Sequence, residues 1–413
     1  MNKIESVKLD NGLMIYFYPD KRKHSTFFQF VTKFGGMTKD FVVDGKSYHL
    51  QDGIAHILEH YIVEENKYGN FLKILGEKQM NTNAYTYPNM TRYYFQAVED
   101  LEYGISMLIN GIYSPIFDQE KLDRIKKPIY QEIKGRMDNK FYHSNQKSLD
   151  DIFKSIRFRS VGGSIDEVEK TTLEEVKLCY EAFYQPNNQF IVIGGNFDKE
   201  RVLNIIKDIY SKLDIKSHDV KLIEAKEDNS IKNSYSEVYF PTGEEYSEIT
   251  YKINISKFSV KEKLKLDFYM NYFYNMFFGM TSLLYKELVD DKIITTGISC
   301  DDMLIGDFLI VSIGSYSNKS DILIKNIKNV INKLDCFDEE LFELDKKDSI
   351  LRVILREERL IDVILPFVEN VVTFDYPYAD TKEDIESFNY EDFIKIIKQL
   401  DFSNYTVTTI KNI

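Results

Sequence analysis

The chain has 413 residues, of which 43% are hydrophobic and 29% are charged, and its formal net charge is -13. This length exceeds what one hydrophobic core usually serves, so we expect two or more domains. The acidic balance argues against a nucleic-acid partner, because phosphate binding requires clustered Lys and Arg side chains. The composition is that of a folded globular protein.

The N-terminal sequence and the cysteines bear on the compartment. The opening residues lack the apolar stretch of a secretory signal, and no apolar run approaches the roughly 18 residues that span a bilayer. We therefore expect a cytoplasmic protein with no membrane partner. Cys179, Cys300 and Cys336 are too few and too scattered for a disulfide framework or a four-thiolate zinc site, so we expect them to be reduced and mostly buried.

Strand-like and helix-like segments alternate along the first half of the chain. In order they are a hairpin at 6–20 that turns at Asn11-Gly12, a strand within 25–36, a helix around 53–65, a strand at 91–98, a helix at 101–112, a strand at 189–195 and a helix at 199–210. This alternation predicts an α/β arrangement.

A polar, weakly periodic stretch then divides the chain into halves of similar length. We expect a first domain at residues 1–215, a linker at 216–234 and a second domain at 235–413. Residues 71–98 and 283–313 share one pattern: a helix, a polar turn and two strands, of which the last is apolar. This similarity predicts an internal duplication.

The segment GIAHILEHYIVEE at residues 53–65 places His56, Glu59 and His60 in the order H-x-x-E-H. Residues four apart lie on one face of a helix, so His56 and His60 can bind one Zn²⁺ ion through ring nitrogens. Glu59 stays on the same side, and the order is that of the inverted zincin signature. A polar patch on an apolar helix remains the alternative from these residues alone.

A catalytic zinc site needs a third protein ligand. Glu64 is excluded on a straight helix, because it lies about 12 Å along the axis from His56. The segment 117–139 is predicted to be helical and offers Glu132, which is one acidic residue among many on this reasoning. Pro128 within it implies a kink or a helix that starts near this residue.

These motifs resemble the M16 family of zinc metallopeptidases, which includes insulin-degrading enzyme and the mitochondrial processing peptidase. The family has a liganding Glu about seventy residues after H-x-x-E-H, and Glu132 lies 72 positions after His60. Other segments that resemble the family are LDNGLMIYF, NAYTYPNMTRYYFQAV, GGSIDEVEKTTLEEV, FYQPNNQFIVIGGNFD and, more weakly, SLLYKELVDDKIITTGIS. The resemblance implies an α+β fold of two homologous α/β domains, each with a mostly antiparallel sheet packed against helices.

The resemblance also implies a function. It makes His56, His60 and Glu132 the zinc ligands and Glu59 the general base of a zinc endopeptidase that acts on peptides or unfolded segments. A specialised protease that matures a leader or precursor peptide is an alternative, and so is a non-catalytic peptide-binding subunit. The intact H-x-x-E-H with Glu132 argues against the non-catalytic subunit.

A strand near the motif is the expected substrate-binding element. By resemblance, Asn83 and Ala84 lie on an edge strand that pairs with an extended peptide substrate. Four further residues of this region are expected to be ordinary strand residues: Thr86, Thr91, Tyr93 and Tyr94.

One segment departs from the family pattern. Many members carry an Arg and a Tyr in the second half that help to bind substrate, whereas Lys292 and Thr296 take those places here. Lys lacks the planar fork of Arg, and Thr cannot reach as Tyr does. We therefore expect a heterodimer with a related M16 subunit that carries the Arg and Tyr pair, with a homodimer as the alternative.

Overall fold

The computed structural model describes residues 4–156 and 160–413. The strands are β1 (Glu5–Lys8), β2 (Met14–Pro19), β3 (Thr26–Thr32), β4 (Asp40–Val43), β5 (Lys46–His49), β6 (Asn81–Thr86), β7 (Thr91–Ala97), β8 (Gln189–Gly195), β9 (Val220–Leu222), β10 (Tyr235–Tyr239), β11 (Tyr246–Asn254), β12 (Ser299–Ile305), β13 (Phe308–Tyr316) and β14 (Tyr405–Lys411).

The helices are α1 (Ile54–Glu64), α2 (Phe71–Glu77), α3 (Leu101–Ile112), α4 (Gln119–Met137), α5 (Lys140–Ile152), α6 (Ile165–Lys170), α7 (Leu173–Phe183), α8 (Lys199–Ser211), α9 (Val260–Phe278), α10 (Leu283–Asp290), α11 (Ser320–Lys333), α12 (Glu339–Arg356), α13 (Leu360–Phe374), α14 (Lys382–Glu386) and α15 (Tyr390–Lys398). Within the described ranges, none of them has the length and apolar character needed to cross a bilayer.

The chain forms two compact units, and neither is continuous in sequence. The first unit comprises Met1–Arg136, Arg159–Glu224 and Arg356–Ala379, and the second comprises Met137–Phe158, Ala225–Leu355 and Asp380–Ile413. The division therefore differs from two consecutive domains at 1–215 and 235–413. Part of the expected linker at 216–234 is also structured, because β9 pairs with β4.

The first unit is built on a six-stranded sheet in the order β1-β2-β8-β3-β7-β6. Its strands are antiparallel except for the parallel pair of β2 and β8. One face packs against α1, α3, α7 and α8, and α13 covers part of the other face through Ile364 and Phe367, which pack near Phe27 and Val192. Since both faces are covered, the central strands β3 and β8 are buried throughout, which explains their nearly continuous apolar sequences.

The second unit has a five-stranded sheet in the order β10-β14-β11-β13-β12. Only the pair of β10 and β14 is parallel. Helices α9, α11 and α15 contribute to the core on one face of this sheet, and α5 packs on the other face against β10, β14 and β11. The α5 side is polar and includes a pair between the hydroxyl groups of Ser148 and Thr408, which are 2.8 Å apart.

The two sheets repeat one topology. The order β2-β8-β3-β7-β6 in the first unit has the same parallel and antiparallel neighbours as β10-β14-β11-β13-β12 in the second. The matched segments predicted from sequence correspond to α2-β6-β7 and α10-β12-β13. Helices α5 and α13 also correspond. Helix α5 comes from the first half of the chain and belongs to the second unit, and α13 comes from the second half and belongs to the first unit. The predicted fold class, with mostly antiparallel sheets packed against helices, is confirmed.

Two local predictions need correction. Helix α4 contains Pro128 in its interior, so of the two predicted alternatives the helix that starts near this residue is wrong. Cys179 is buried and Cys300 partly buried, but Cys336 is exposed, and all three are free thiols.

Candidate metal centre

Helix α1 begins at a tight backbone junction. Its N-cap residue Gly53 has a φ of 86°, and a Cβ at this position would lie 2.6 Å from the Gly162 carbonyl oxygen. Only glycine meets both constraints, because an L side chain is strained at this φ and would also clash with backbone. The contact fixes the first turn of α1, which carries His56.

Most of α1 packs into the core, and its remaining face carries the H-x-x-E-H side chains. His56 and Glu59 are each 7% exposed, and the side chain of His60 is 18% exposed. Helix α4 brings Glu132 to this face from a distant part of the sequence. The residues that sequence analysis selected as ligands therefore lie together.

The donor atoms have the spacing of a tetrahedral zinc site. His56 Nε2 lies 3.2 Å from His60 Nε2 and 3.4 Å from Glu132 Oε2, and His60 Nε2 lies 3.6 Å from Glu132 Oε1. Two ligands at about 2.0 to 2.1 Å from a tetrahedral ion are about 3.3 Å apart, so these side chains fit zinc. In the part of the chain that the structure describes, no other group of three His, Cys, Asp or Glu residues could hold a metal.

Charged neighbours surround this triad. Glu64 Oε1 lies 3.5 Å from His60 Nδ1, the ring nitrogen that does not face Glu132. Glu64 is thus placed to orient the imidazole rather than to bind the same ion, as the helical spacing predicted. Arg136 Nη2 lies 3.7 Å from Glu132 Oε2.

Burial and charge set the protonation of the histidines. Burial, together with the nearby His60 and Arg136, lowers the pKa of His56 to about 3. The ring of His56 is therefore neutral at physiological pH, which is the form that binds a metal. Burial also lowers the pKa of His60, but the hydrogen bond to Glu64 and the charges of Glu59 and Glu132 outweigh it and raise this pKa.

Glu59 lies beside the triad and is held by a neighbouring strand. Thr86 Oγ1, on β6, donates a hydrogen bond of 2.6 Å to Glu59 Oε2. Burial raises the pKa of Glu59, and the hydrogen bond from Thr86 opposes this effect. Thr86 was expected to be an ordinary strand residue. The period-two alternation that puts Thr86 on the same side of β6 as the buried Ala84 is the signal that could have identified it.

Asn83 and Ala84 lie on β6, an edge strand of the six-stranded sheet. Asn83 is exposed, and its side-chain Nδ2 donates to the Tyr85 hydroxyl at 2.9 Å. The backbone N–H of Ala84 donates to Asn83 Oδ1 at 2.8 Å. The side chain of Asn83 therefore occupies a backbone donor of the edge strand.

Lys292 and Thr296 belong to the second unit, between α10 and β12. Lys292 has a φ of 52° two residues after the end of α10, and both Lys292 and Thr296 are exposed. Thr296 Oγ1 makes one long contact, of 3.5 Å, with the Gly297 carbonyl oxygen.

Two family models match the chain on either side of residue 165. Residues 46–160 match the model described as insulinase, peptidase family M16, and residues 170–347 match the model described as the peptidase M16 inactive domain. The first match contains the candidate ligands. The described residues of the second unit contain no metal-binding triad, which agrees with the description of the second match.

Several known proteins similar to this chain are bacterial proteins named as zinc proteases. This chain is 26% identical to the uncharacterized zinc protease YmfH of Bacillus subtilis, over 83% of this chain and 81% of the relative. It is 24% identical to the zinc protease PqqE of Helicobacter pylori, over 83% of this chain and 77% of the relative. The crystal structure of an M16-like peptidase from Alicyclobacillus acidocaldarius superimposes with a TM-score of 0.89 at 23% identity and covers 100% of this chain and 98% of the other. The fold and the matches to both family models show that this chain belongs to the insulinase-like peptidase family M16.

Proposed function

We propose that the chain is a zinc-dependent endopeptidase that hydrolyses peptides or unfolded protein segments. The observation that carries this proposal is the 3.2 to 3.6 Å spacing of the donor atoms of His56, His60 and Glu132 beside the carboxyl group of Glu59. These three residues would hold the ion. The names of the relatives YmfH and PqqE, both zinc proteases, support the same chemistry.

Glu59 is the general base of this proposal. The chemistry that a bound zinc ion supplies is a lowered pKa for water and polarisation of the scissile carbonyl. Glu59 accepts the proton of the attacking water on a carboxylate oxygen and then delivers it to the leaving amine. Thr86 holds Oε2 of the carboxyl group, which leaves Oε1 as the oxygen for proton transfer.

The substrate would bind along β6 in an extended conformation. An edge strand offers unpaired backbone groups, and pairing with them gives affinity with little demand on sequence. Since Asn83 Oδ1 accepts from the Ala84 N–H, its side chain must rotate away before a substrate carbonyl can take that place. Asn83 and Ala84 are thus the proposed substrate-binding residues.

A second chain would complete the active site. Lys292 and Thr296 stand where many family members carry an Arg and a Tyr, and neither offers the same hydrogen bonds. The proposed assembly is a heterodimer with a related M16 subunit that carries this pair, or else a homodimer. Full peptidase activity of the purified chain at concentrations where it is a monomer would contradict this part of the proposal.

Metal content and cleavage should be measured together for the wild-type chain and for Glu59→Gln, in the presence of any partner subunit that activity requires. We expect about one zinc per chain in both proteins and hydrolysis of an unstructured peptide only by the wild type. Glu99→Gln is a matched control, because Glu99 is an exposed residue after β7. A wild-type chain that binds no zinc, or a Glu59→Gln chain that retains activity, would contradict the proposal.

A further inference from the structure

A groove of about 460 Å³ lies in the second unit, away from the H-x-x-E-H motif in sequence and built entirely from that unit. Helix α5 packs on β10, β14 and β11, and the groove opens beside this helix over β11, β13 and β12. Its floor is the sheet, and one wall is α5. Thr296 and Gly297, from the segment between α10 and β12, also line it.

Three acidic side chains line the groove: Glu248, Asp301 and Asp302. Asp302 accepts a hydrogen bond of 3.0 Å from the Tyr274 hydroxyl. Glu248 on β11 accepts only long hydrogen bonds, of 3.3 Å from the Tyr246 hydroxyl and 3.4 Å from Thr250 Oγ1. Its charged neighbour is Asp301 on β12, another acid. Among the described residues that line the groove there is no Lys, Arg or His. A negative site of this kind lowers its electrostatic energy by binding a positive group.

Three aromatic rings stand next to these acids. The ring centroids of Phe141 and Tyr246 are 5.0 Å apart at an interplanar angle of 89°, and those of Tyr246 and Tyr316 are 5.3 Å apart at 71°. Rings arranged in this way offer faces to a cation and apolar surface to its aliphatic stem. Lys140 already contacts two of them, since its Nζ lies 4.6 Å from the Tyr316 centroid and 5.4 Å from the Phe141 centroid while it donates to Thr242 Oγ1.

The α5 wall adds an unused polar group. Ser144 is only 2% exposed, and among the described residues its Oγ has no hydrogen-bond partner. A buried hydroxyl without a partner costs free energy, and such groups are rare unless a ligand or water satisfies them. Ser144 lines the groove and can therefore accept a hydrogen bond from a bound N–H group.

We propose that this groove binds a lysine or arginine side chain of a peptide, with the cationic head at Glu248 and Asp301 and the aliphatic stem against the rings of Phe141, Tyr246 and Tyr316. This inference rests on the proposed function, because that function makes a peptide the ligand. It adds that basic peptides are the preferred substrates. A metal ion is a poorer match, because among the described residues the carboxylates that line the groove do not bring three ligand atoms as close together as His56, His60 and Glu132 do.

The test measures binding without hydrolysis, in the full-length Glu59→Gln chain without added zinc. Isothermal titration calorimetry compares an acetylated and amidated alanine hexapeptide that contains one arginine with the same peptide containing citrulline, which has a similar shape and no charge. We expect the arginine peptide to bind about tenfold more tightly or better, since a hydrogen bond to a charged group contributes about this much.

The double substitution Glu248→Gln and Asp301→Asn should bring the two affinities together. Glu237→Gln is the matched control, because Glu237 lies on β10 of the same sheet, outside the residues that line the groove, and this chain should keep the preference for arginine. Thermal unfolding establishes that each variant is folded. The inference would be overturned if the Glu59→Gln chain bound the arginine and citrulline peptides equally. It would also be overturned if the chain with the double substitution still preferred the arginine peptide.

The two proposals fail separately in these experiments. Selective binding of the arginine peptide by a chain whose wild-type form hydrolyses nothing would count against the peptidase and support the groove. Hydrolysis by the wild-type chain, without any difference in affinity between the arginine and citrulline peptides, would support the peptidase and count against the groove.

Discussion

Thr86 Oγ1 donates a hydrogen bond of 2.6 Å to Glu59 Oε2, and it does so from a strand adjacent in the fold rather than from α1 itself. The bond restrains a carboxyl group that burial otherwise leaves with little polar contact. Thr86 is thus a positioning residue for the proposed general base.

We expect Thr86→Val to lower kcat about tenfold with little change in KM, because a hydrogen bond to a charged group contributes about 1.5 to 3 kcal/mol and only the proton-transfer step uses this one. Thr86→Ser should restore most of the rate, since it keeps the hydroxyl group. Steady-state kinetics and zinc content of both variants provide the measurement. A loss of zinc from Thr86→Val, or equal loss of rate in both variants, would contradict the role.

Glu64 provides a second prediction. Its carboxylate lies 3.5 Å from His60 Nδ1, and partners of this kind orient a liganding imidazole. Glu64→Ala should weaken zinc binding by about tenfold or more, a typical effect of removing such a partner. Competition with a chelator measures this affinity, and Glu99→Gln serves as the exposed control. An unchanged affinity would show that His60 is oriented by other contacts.

The sequence predicted the local elements well because their signals are local. The apolar spacing at 101–112 gave the limits of α3, and the helical spacing at 53–65 put His56 and His60 on one face. Glu132 was different. Nothing in the periodicity of α4 says which helix it faces, so only the family resemblance singled it out from other acids.

Sequence patterns could not predict that α5 belongs to the second unit and α13 to the first. Each is an amphipathic helix, and amphipathicity says that a face is buried without saying against which sheet. The groove over Glu248 depends on the same tertiary fact, because α5 forms its wall. The alternation along β6 places Thr86 on the same side as the buried Ala84, but it does not say which helix that side faces, so the contact with Glu59, 27 positions earlier, was missed.

The junction at Gly53 predicts a specific pattern of stability. Gly53 and Gly69 have similar φ values, 86° and 80°, but a Cβ would clash only at Gly53, where it would lie 2.6 Å from a carbonyl oxygen. Gly69→Ala should cost about 1 to 2 kcal/mol from the left-handed backbone alone. Gly53→Ala should cost more and also weaken zinc binding, because α1 must shift. Chemical denaturation and zinc content test this, and equal costs at the two positions would contradict it.

Glu248 makes the stability of the chain depend on pH in a direction that can be stated. Burial, together with the charge of Asp301, raises the pKa of Glu248 from 4.5 to about 7, although the hydrogen bonds from Tyr246 and Thr250 oppose this effect. The folded state therefore holds a proton that the unfolded state has lost between these pH values. Stability contributed by the protonated group is fully present below pH 4.5 and is lost as pH rises toward 7.

The variant Glu248→Gln cannot ionise, so its stability relative to the wild type should increase over this interval by at most about 3 kcal/mol, since each pKa unit corresponds to about 1.4 kcal/mol. Calorimetric Tm values of both chains at pH 5 and pH 8 provide the measurement. We expect the two chains to be closer at pH 5 and the variant to be more stable at pH 8. Glu99→Gln should show no such change, and parallel pH profiles for the wild type and Glu248→Gln would show that the Glu248 carboxyl group is solvated in the folded protein.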